Sequence, residues 1–301
     1  MARGGARAHS NVDRVVAPLR TERLKIREDG GLFTGLGTPL FCVDGNNLLW
    51  RAAHGNPAPF PADDGRDLTP LFRFITLLRR ALGSYGVFAE CVVCFDGADA
   101  WSGRLDVDEA YKANRSYETK DLSFMGWLPE IRAALDSIGV ANVEISDSEA
   151  DDVIATLTTR AQPRHVRILS TDRDYYQLVS PTTTVVGPRT GIVDEAHIVA
   201  NYGVTASQWC DLRALAGDPS DGIAGLPGVG MTRAAAMLAG AKSIDDLRDD
   251  PLVDAHWDDL CRWRDLIRVN RDVPLPIELS GVATPRLPSP GAVCAALGLV
   301  R

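Results

Sequence analysis

Short apolar runs of strand length alternate along this chain with longer stretches in which apolar residues recur every three or four positions. Residues 39–43 form the first run and end at Asp44-Gly45, after which 46–53 reads as a turn and a first helix. Leu68, Leu71, Phe72, Ile75, Leu78 and Leu82 fall on one face at helical spacing. Cys91-Val92-Val93-Cys94-Phe95 is again a strand, closed by Asp96-Gly97. A helix over 127–138, a strand over 140–145, a helix after Ser148 and a strand over 166–169 continue the rhythm. Strands alternating with helices predict an α/β fold, a parallel sheet covered by helices on both faces. Ser148 is a good N-cap with Asp151 at its N3 position, which places Glu149, Asp151 and Asp152 at the end of the helix dipole that favours negative charge. From Thr205 the pattern is helical, with Trp209, Leu212, Leu215 and Ala216 on one face, then a glycine-rich turn and a small-residue helix over 231–238. The remainder, through Trp257, Cys261 and Leu266, reads as closing helices and a tail that packs back.

Three regions follow from this pattern. Residues 1–37 carry Arg3, Arg7, Arg14, Arg20, Arg23, Lys25 and Arg27 among small residues and glycines, and are expected to be a flexible basic tail. Residues 38–202 are expected to form the α/β domain and 203–301 a helical region. No run of 18 apolar residues exists and the amino terminus lacks the apolar segment of a signal peptide, so the expected address is cytoplasmic, with no membrane partner. The six cysteines are scattered; Cys91 and Cys94 would point to opposite faces of one strand, which argues for core packing over a redox pair or a zinc site. A formal charge of −8 looks wrong for a nucleic-acid partner. That objection weakens once the acids are located.

Asp44, Asp96, Asp172 and Asp174 follow the carboxyl ends of strands, where parallel sheets bind their ligands. Glu149, Asp151 and Asp152 open a helix, and Asp218 and Asp221 precede a glycine-rich turn. A helix start explains one or two acids, not nine. Gathered into one cleft, these carboxylates repel one another and are tolerable only with divalent cations between them. The expected protein is a metal-dependent phosphodiesterase. Taking those nine from the 40 acidic residues leaves 31 against 32 basic ones, so net charge excludes nothing. Residues 98–126 form a long polar connection with Arg104, Tyr111, Lys112, Arg115 and Lys120, a length that marks a functional loop. The plain alternative is a solvated helix face, to which Asp106, Asp108 and Glu109 lend weight. Gly225-Leu226-Pro227-Gly228-Val229-Gly230 is a helix-hairpin-helix signature: its glycines allow close approach to a nucleic-acid strand, and amides at the following helix start can hold a phosphate.

These stretches together resemble the bacterial and phage 5′-3′ exonuclease and flap endonuclease family, which includes the amino-terminal nuclease domain of bacterial DNA polymerase I. The matching residues are Val43-Asp44-Gly45, Phe95-Asp96, Tyr111-Lys112-Ala113-Asn114-Arg115, Glu149-Ala150-Asp151-Asp152, the run from Thr171 to Leu178, and Gly217-Asp218-Pro219-Ser220-Asp221 with Gly225 to Gly230. They occur in the family's order across roughly 38–279, each weak alone and specific together. The resemblance implies a PIN-like nuclease core, a flexible helical arch over about 98–126, and a helix-three-turn-helix element near 205–240. It implies that Asp44, Asp96, Glu149, Asp151 and Asp152 build a first metal site, and Asp172, Asp174, Asp218 and Asp221 a second. Two divalent ions, Mg²⁺ or Mn²⁺, with room for a third, would activate water and neutralise the phosphate. Lys112 and Arg115 match the catalytic arch residues, and Tyr111 is placed to stack on a base. Gly225, Gly228, Val229, Gly230, Thr232 and Arg233 are the expected DNA contacts.

Three positions depart from the family pattern: Ser148 where Tyr is common, Gly222 where Asn is, and Thr232-Arg233 where a Lys-Thr pair is. The last two bear on DNA docking and on a K⁺ ion held by hairpin carbonyls; none removes a metal ligand. The expected partners are branched DNA, as 5′ flaps, nicked or gapped duplexes, and RNA-DNA hybrid, met by a monomer at the nucleoid. Two other readings compete. A non-catalytic DNA-structure-binding protein would be expected to lose carboxylates, and a PIN-type ribonuclease has no need of the hairpin or the arch.

Overall fold

The computed structural model describes residues 36–55, 58–100, 104 and 123–300, with the chain from Gly35 onward forming one unit. The basic tail and most of the 98–126 segment therefore lie outside the described residues. Six strands form one sheet: β1 (Leu40–Asp44), β2 (Glu90–Asp96), β3 (Ala141–Ile145), β4 (Val166–Leu169), β5 (Thr183–Gly187) and β6 (Gly191–Val193), in the order β3-β2-β1-β4-β5-β6. All neighbours are parallel except β5 and β6. The strand order reverses between β1 and β4, which opens a crevice at the carboxyl ends of those two strands.

Period-two alternation divides the strand residues between two cores. Leu40, Cys42, Val92, Cys94 and Ile168 belong to one, and Phe41, Val43, Cys91, Val93, Phe95 and Leu169 to the other. Cys91 and Cys94 do lie on opposite faces, and both are free thiols. The second core is covered by α1 (Gly45–His54), α2 (Thr69–Tyr85) and α3 (Leu128–Ser137). The first is covered by α4 (Ala150–Arg160), with α5 (Glu195–Tyr202), α6 (Trp209–Ala216), α7 (Met231–Leu238), α8 (Pro251–Ala255) and α9 (Trp257–Ile267) continuing the same apolar cluster. The helical region thus shares its core with one face of the sheet.

The chain then crosses to the other face. Glu90 at the start of β2 accepts from Ser280 Oγ at 2.8 Å and the Gly281 amide at 3.1 Å, and the Thr284 amide donates to Ala89 O at 2.9 Å. This pins the return, and α10 (Pro290–Ala296) packs Val293 and Cys294 into the second core. None of the described helices is long and apolar enough to cross a membrane.

Two local expectations need correction. The cap of α4 is Glu149, with no side-chain cap bond, and Ser148 is buried one residue earlier. Asp151 and Asp152 keep their first-turn positions, while Glu149 moves to the cap that propensity would give to the serine. The hairpin of β5 and β6 and the helix α5 lay outside the sequence pattern because each strand is short and polar-flanked, offering few alternating positions.

Candidate active site

Asp44 is both the last residue of β1 and the cap of α1, and its Oδ1 accepts the Asn47 amide at 2.9 Å. The chain turns tightly there: a Cβ on Gly45 would clash with Phe95 Cε1. Asp44 Oδ2 accepts from Ser170 Oγ at 2.9 Å and from the Tyr175 hydroxyl at 3.3 Å. Ser170 Oγ in turn accepts the Asp172 amide at 3.0 Å. One buried hydroxyl therefore fixes acids on both sides of the point where the strand order reverses. Asp172 Oδ1 accepts the Asp174 amide at 2.9 Å. Asp96, the last residue of β2, accepts the Ala150 amide at 2.8 Å and so lies against the first turn of α4.

The remaining acids close the cleft in two triads. Carboxylate oxygens of Glu149, Asp151 and Asp152 lie within 4.8 Å of one another, and so do those of Asp174, Asp218 and Asp221. At an effective dielectric of about 20, two such charges repel by roughly 3–4 kcal/mol, and three pairs per triad approach the whole stability of a domain, about 5–15 kcal/mol. Two arginines offset part of this. Arg104 contacts Glu149 and lies 2.9 Å from Asp152 and 3.5 Å from Asp151, while Arg213 on α6 contacts Asp218 and lies 3.6 Å from Asp174.

The field of the cluster shows in its ionisation. Burial, reinforced by Asp96 and Asp172 and opposed by the Asn47 amide and Ser170, pushes the Asp44 carboxyl up to about 7. Burial and then Asp172, with Asp221 and Asp151 adding to them, hold Asp174 far above the ordinary carboxylate range, against the pull of Arg213. The Tyr175 phenol is pushed well up by burial and by Asp44, Asp151, Asp172 and Asp96. Acids from four separate strand ends and loops thus act on common groups. Asp174 Oδ1 and Arg213 Nε are both buried without a hydrogen bond and face each other as an ion pair at 3.6 Å. Two triads of carboxylate oxygens, one of them holding an oxygen that a guanidinium meets by charge alone, form an all-oxygen donor set that fits a divalent cation of the hard class.

The hairpin grows out of the second triad. Gly217 ends α6 at φ +81, and Gly225, at φ +71, packs backbone against backbone on it: a Cβ on Gly225 would sit 2.6 Å from Ala216 C. The Asp218 and Ile223 backbones bond reciprocally, and the Leu226 amide donates to Leu215 O at 2.9 Å. Gly228, Gly230, Thr232 and Arg233 are exposed, and Arg233 Nη1 reaches Gly228 O at 3.3 Å. Val229 is buried, and its amide donates to Leu226 O at 3.0 Å, so it anchors the hairpin to the core. Tyr111, Lys112 and Arg115 lie outside the described residues.

Four groups of the site were not among the expected residues: Asn47, Ser170, Tyr175 and Arg213. Ser170 and Tyr175 flank Asp172 and Asp174 in sequence, so adjacency was their signal. Arg213 carried one as well, a lone cation on an otherwise buried helix. Beyond the cleft, Gln177 ties it to the helical region: Nε2 donates to Asp174 O and Ile267 O, both at 2.9 Å, and Oε1 accepts the Val269 amide at 3.1 Å.

A doubly wound sheet with an acidic cleft at its reversal point, continued by a helical hairpin that supplies part of the same cleft, defines a class of α/β proteins joined to a helical module. Family models identify the class. Residues 39–203 match the 5′-3′ exonuclease N-terminal resolvase-like domain and residues 204–288 the 5′-3′ exonuclease C-terminal SAM fold. The chain belongs to the 5′-3′ exonuclease family. It is 35% identical over 250 residues to DNA polymerase I of Thermus thermophilus, covering 79% of this chain and 29% of that one. It is 34% identical over 253 residues to DNA polymerase I of Mycobacterium tuberculosis, covering 78% and 28%. The chain therefore spans under a third of the length of these polymerases. Among solved structures it is similar in fold to bacteriophage T5 5′-exonuclease with bound zinc, at TM-score 0.64 and 23% identity over 76% of this chain and 89% of that one. The catalytic core of Rad2 in complex with DNA substrate follows at TM-score 0.53 and 13% identity, covering 88% and 93%.

Proposed function

We propose that this protein is a structure-specific 5′ nuclease, a 5′-3′ exonuclease and flap endonuclease that hydrolyses DNA phosphodiesters where single and double strands meet. Its substrates are 5′ flaps, nicked or gapped duplex ends and RNA primers in RNA-DNA hybrid, in replication and repair. The observation that carries the reading is the convergence of Asp44, Asp96, Asp172 and the two carboxylate triads on one crevice from which the hairpin emerges. The relatives' polymerase names and the DNA in the Rad2 complex support the same substrate class.

The residues divide the work. Asp44, Asp96, Glu149, Asp151 and Asp152 hold one divalent cation, and Asp172, Asp174, Asp218 and Asp221 a second, with Mg²⁺ or Mn²⁺ suited to oxygen ligands. When bound, such a pair supplies Lewis-acid polarisation of the phosphate and charge neutralisation at the leaving oxygen. Ser170, the Tyr175 hydroxyl and the Asn47 amide fix the orientation of Asp44, which tolerates little displacement in a positioned site. Lys112 and Arg115 bring positive charge to the scissile phosphate, and Tyr111 stacks on an unpaired base. The exposed backbone at Gly228, Gly230, Thr232 and Arg233 grips the duplex backbone, with K⁺ at the hairpin carbonyls, and the protein acts as a monomer.

The test is product mapping on a labelled 5′-flap duplex with Mg²⁺ or Mn²⁺, beside single-stranded RNA. Cleavage at the flap junction, abolished in Asp172→Asn with flap binding retained, is the expected result. Undiminished cleavage by that variant, or preference for the RNA, would overturn the assignment.

A further inference from the structure

At the far end of the sheet, α2 from Phe72 onward, the turn after it and the returning segment 283–287 enclose an open groove of about 1090 Å³. Its floor is hydrocarbon, from Phe72, Leu77, Leu82 and Leu287, and its lip carries Val87 and Phe88, 46% and 58% exposed. Phe88 stands at φ +62, the one non-glycine residue with positive φ among the described residues, a conformation that costs on the order of 1–3 kcal/mol for a bulky side chain. Strain spent to hold a large ring in water is the reverse of what folding favours, and such strain gathers at sites that bind.

Charge marks the same place. Arg73, Arg79, Arg80 and Arg286 line the groove. Arg79 Nε donates to Leu287 O at 3.2 Å, and Arg73 Nε is buried with no acceptor. None of the four forms an ion pair with a carboxylate among the described residues. Four arginines without a carboxylate partner therefore gather around one apolar trough, and they give its rim a positive charge. The groove also opens at the amino end of β2, a seven-residue strand, so it lies about 20 Å from Asp96 at roughly 3.3 Å per residue.

We infer that this groove docks an acidic peptide segment of a partner protein, its aromatic or aliphatic side chains on the floor and its carboxylates on the arginine rim. A phosphate backbone would match the rim but leave the hydrocarbon floor uncovered; a small metabolite would not fill an open trough of this length. The site is separate from the acidic cleft, and its occupation does not depend on the reaction performed there.

Fluorescence anisotropy with a labelled peptide of three Asp-Asp-Phe repeats tests the inference, with three Asp-Asp-Ser repeats and a single-stranded oligonucleotide as comparators. The Phe peptide should bind the full chain, more weakly as salt rises, and the Ser peptide should bind far less. Arg80→Glu with Arg286→Glu should weaken the Phe peptide about tenfold or more and gain affinity for Lys-Lys-Phe repeats, with circular dichroism unchanged. Phe88→Ser should weaken the peptide without altering its salt dependence. Failure of the Phe peptide to bind, equal binding by the double variant, or loss of oligonucleotide binding in its place would each overturn the proposal.

Discussion

Gln177 tests whether the acidic cleft and the helical region are one mechanical unit. Its amide faces inward from the short turn that carries Asp174, and it is 8% exposed. Replacing it by Leu keeps the volume and removes every polar contact. Three backbone groups then lose their partner: Asp174 O, Ile267 O and the Val269 amide. Leaving a buried backbone group unsatisfied costs about 1–3 kcal/mol, and a partly buried one recovers some of that from water, so the sum comes to about 3–5 kcal/mol. Leu adds apolar burial worth no more than about 1 kcal/mol against it, because Gln already fills the space. A domain of ordinary stability, about 5–15 kcal/mol, would lose a large fraction. Gln177→Glu separates geometry from volume: it still accepts the Val269 amide, cannot donate to either carbonyl, and adds charge beside Asp174. Urea denaturation followed by tryptophan fluorescence reads the loss, since Trp209 and Trp263 sit in the core that Gln177 closes. A Leu variant within about 1 kcal/mol of the wild type would refute the reasoning, because each of the three groups would then be shown to find another partner.

Other consequences are quicker to state. Ser170→Ala deletes the hydroxyl that orients Asp44 and Asp172 and should lower divalent-ion affinity and cleavage about 10–100-fold, with fold retained by circular dichroism. Mg²⁺ or Mn²⁺ at about a hundred times its dissociation constant should stabilise the protein by about 2.7 kcal/mol, and calorimetry should record a rise in Tm of roughly 5–10 °C, absent with chelator. Gly225→Ala forces a methyl against the Gly217 backbone at positive φ and should cost about 2–5 kcal/mol in urea while loosening the hairpin's grip on duplex.

The strand-helix alternation, the two-faced strands and the positions of the nine acids were legible in the sequence because each depends on local spacing: period two in Val43 or Val93, period near four in Leu71, Ile75 and Leu78. Propensity failed where a tertiary contact outranks it. Ser148 is the better cap by composition, yet Glu149 holds the position with its carboxylate committed to Arg104. Val229 reads as part of a DNA-facing turn, yet a partly apolar hairpin must anchor itself, and Val229 does so together with Ile223 and Leu226.

The sequence by itself placed the nine acids at strand ends, a helix start and a glycine-rich turn, and put those strand ends at the carboxyl edge of a parallel sheet. Only the tertiary structure decided which acids become neighbours, that Ser170 and Tyr175 position Asp44, and that Arg213 balances Asp174. The reason is range. Backbone geometry repeats every few residues and leaves its signature in spacing, whereas a contact between Asp96 and Ala150, or between Glu90 and Ser280, is made by folding alone and leaves no periodic trace.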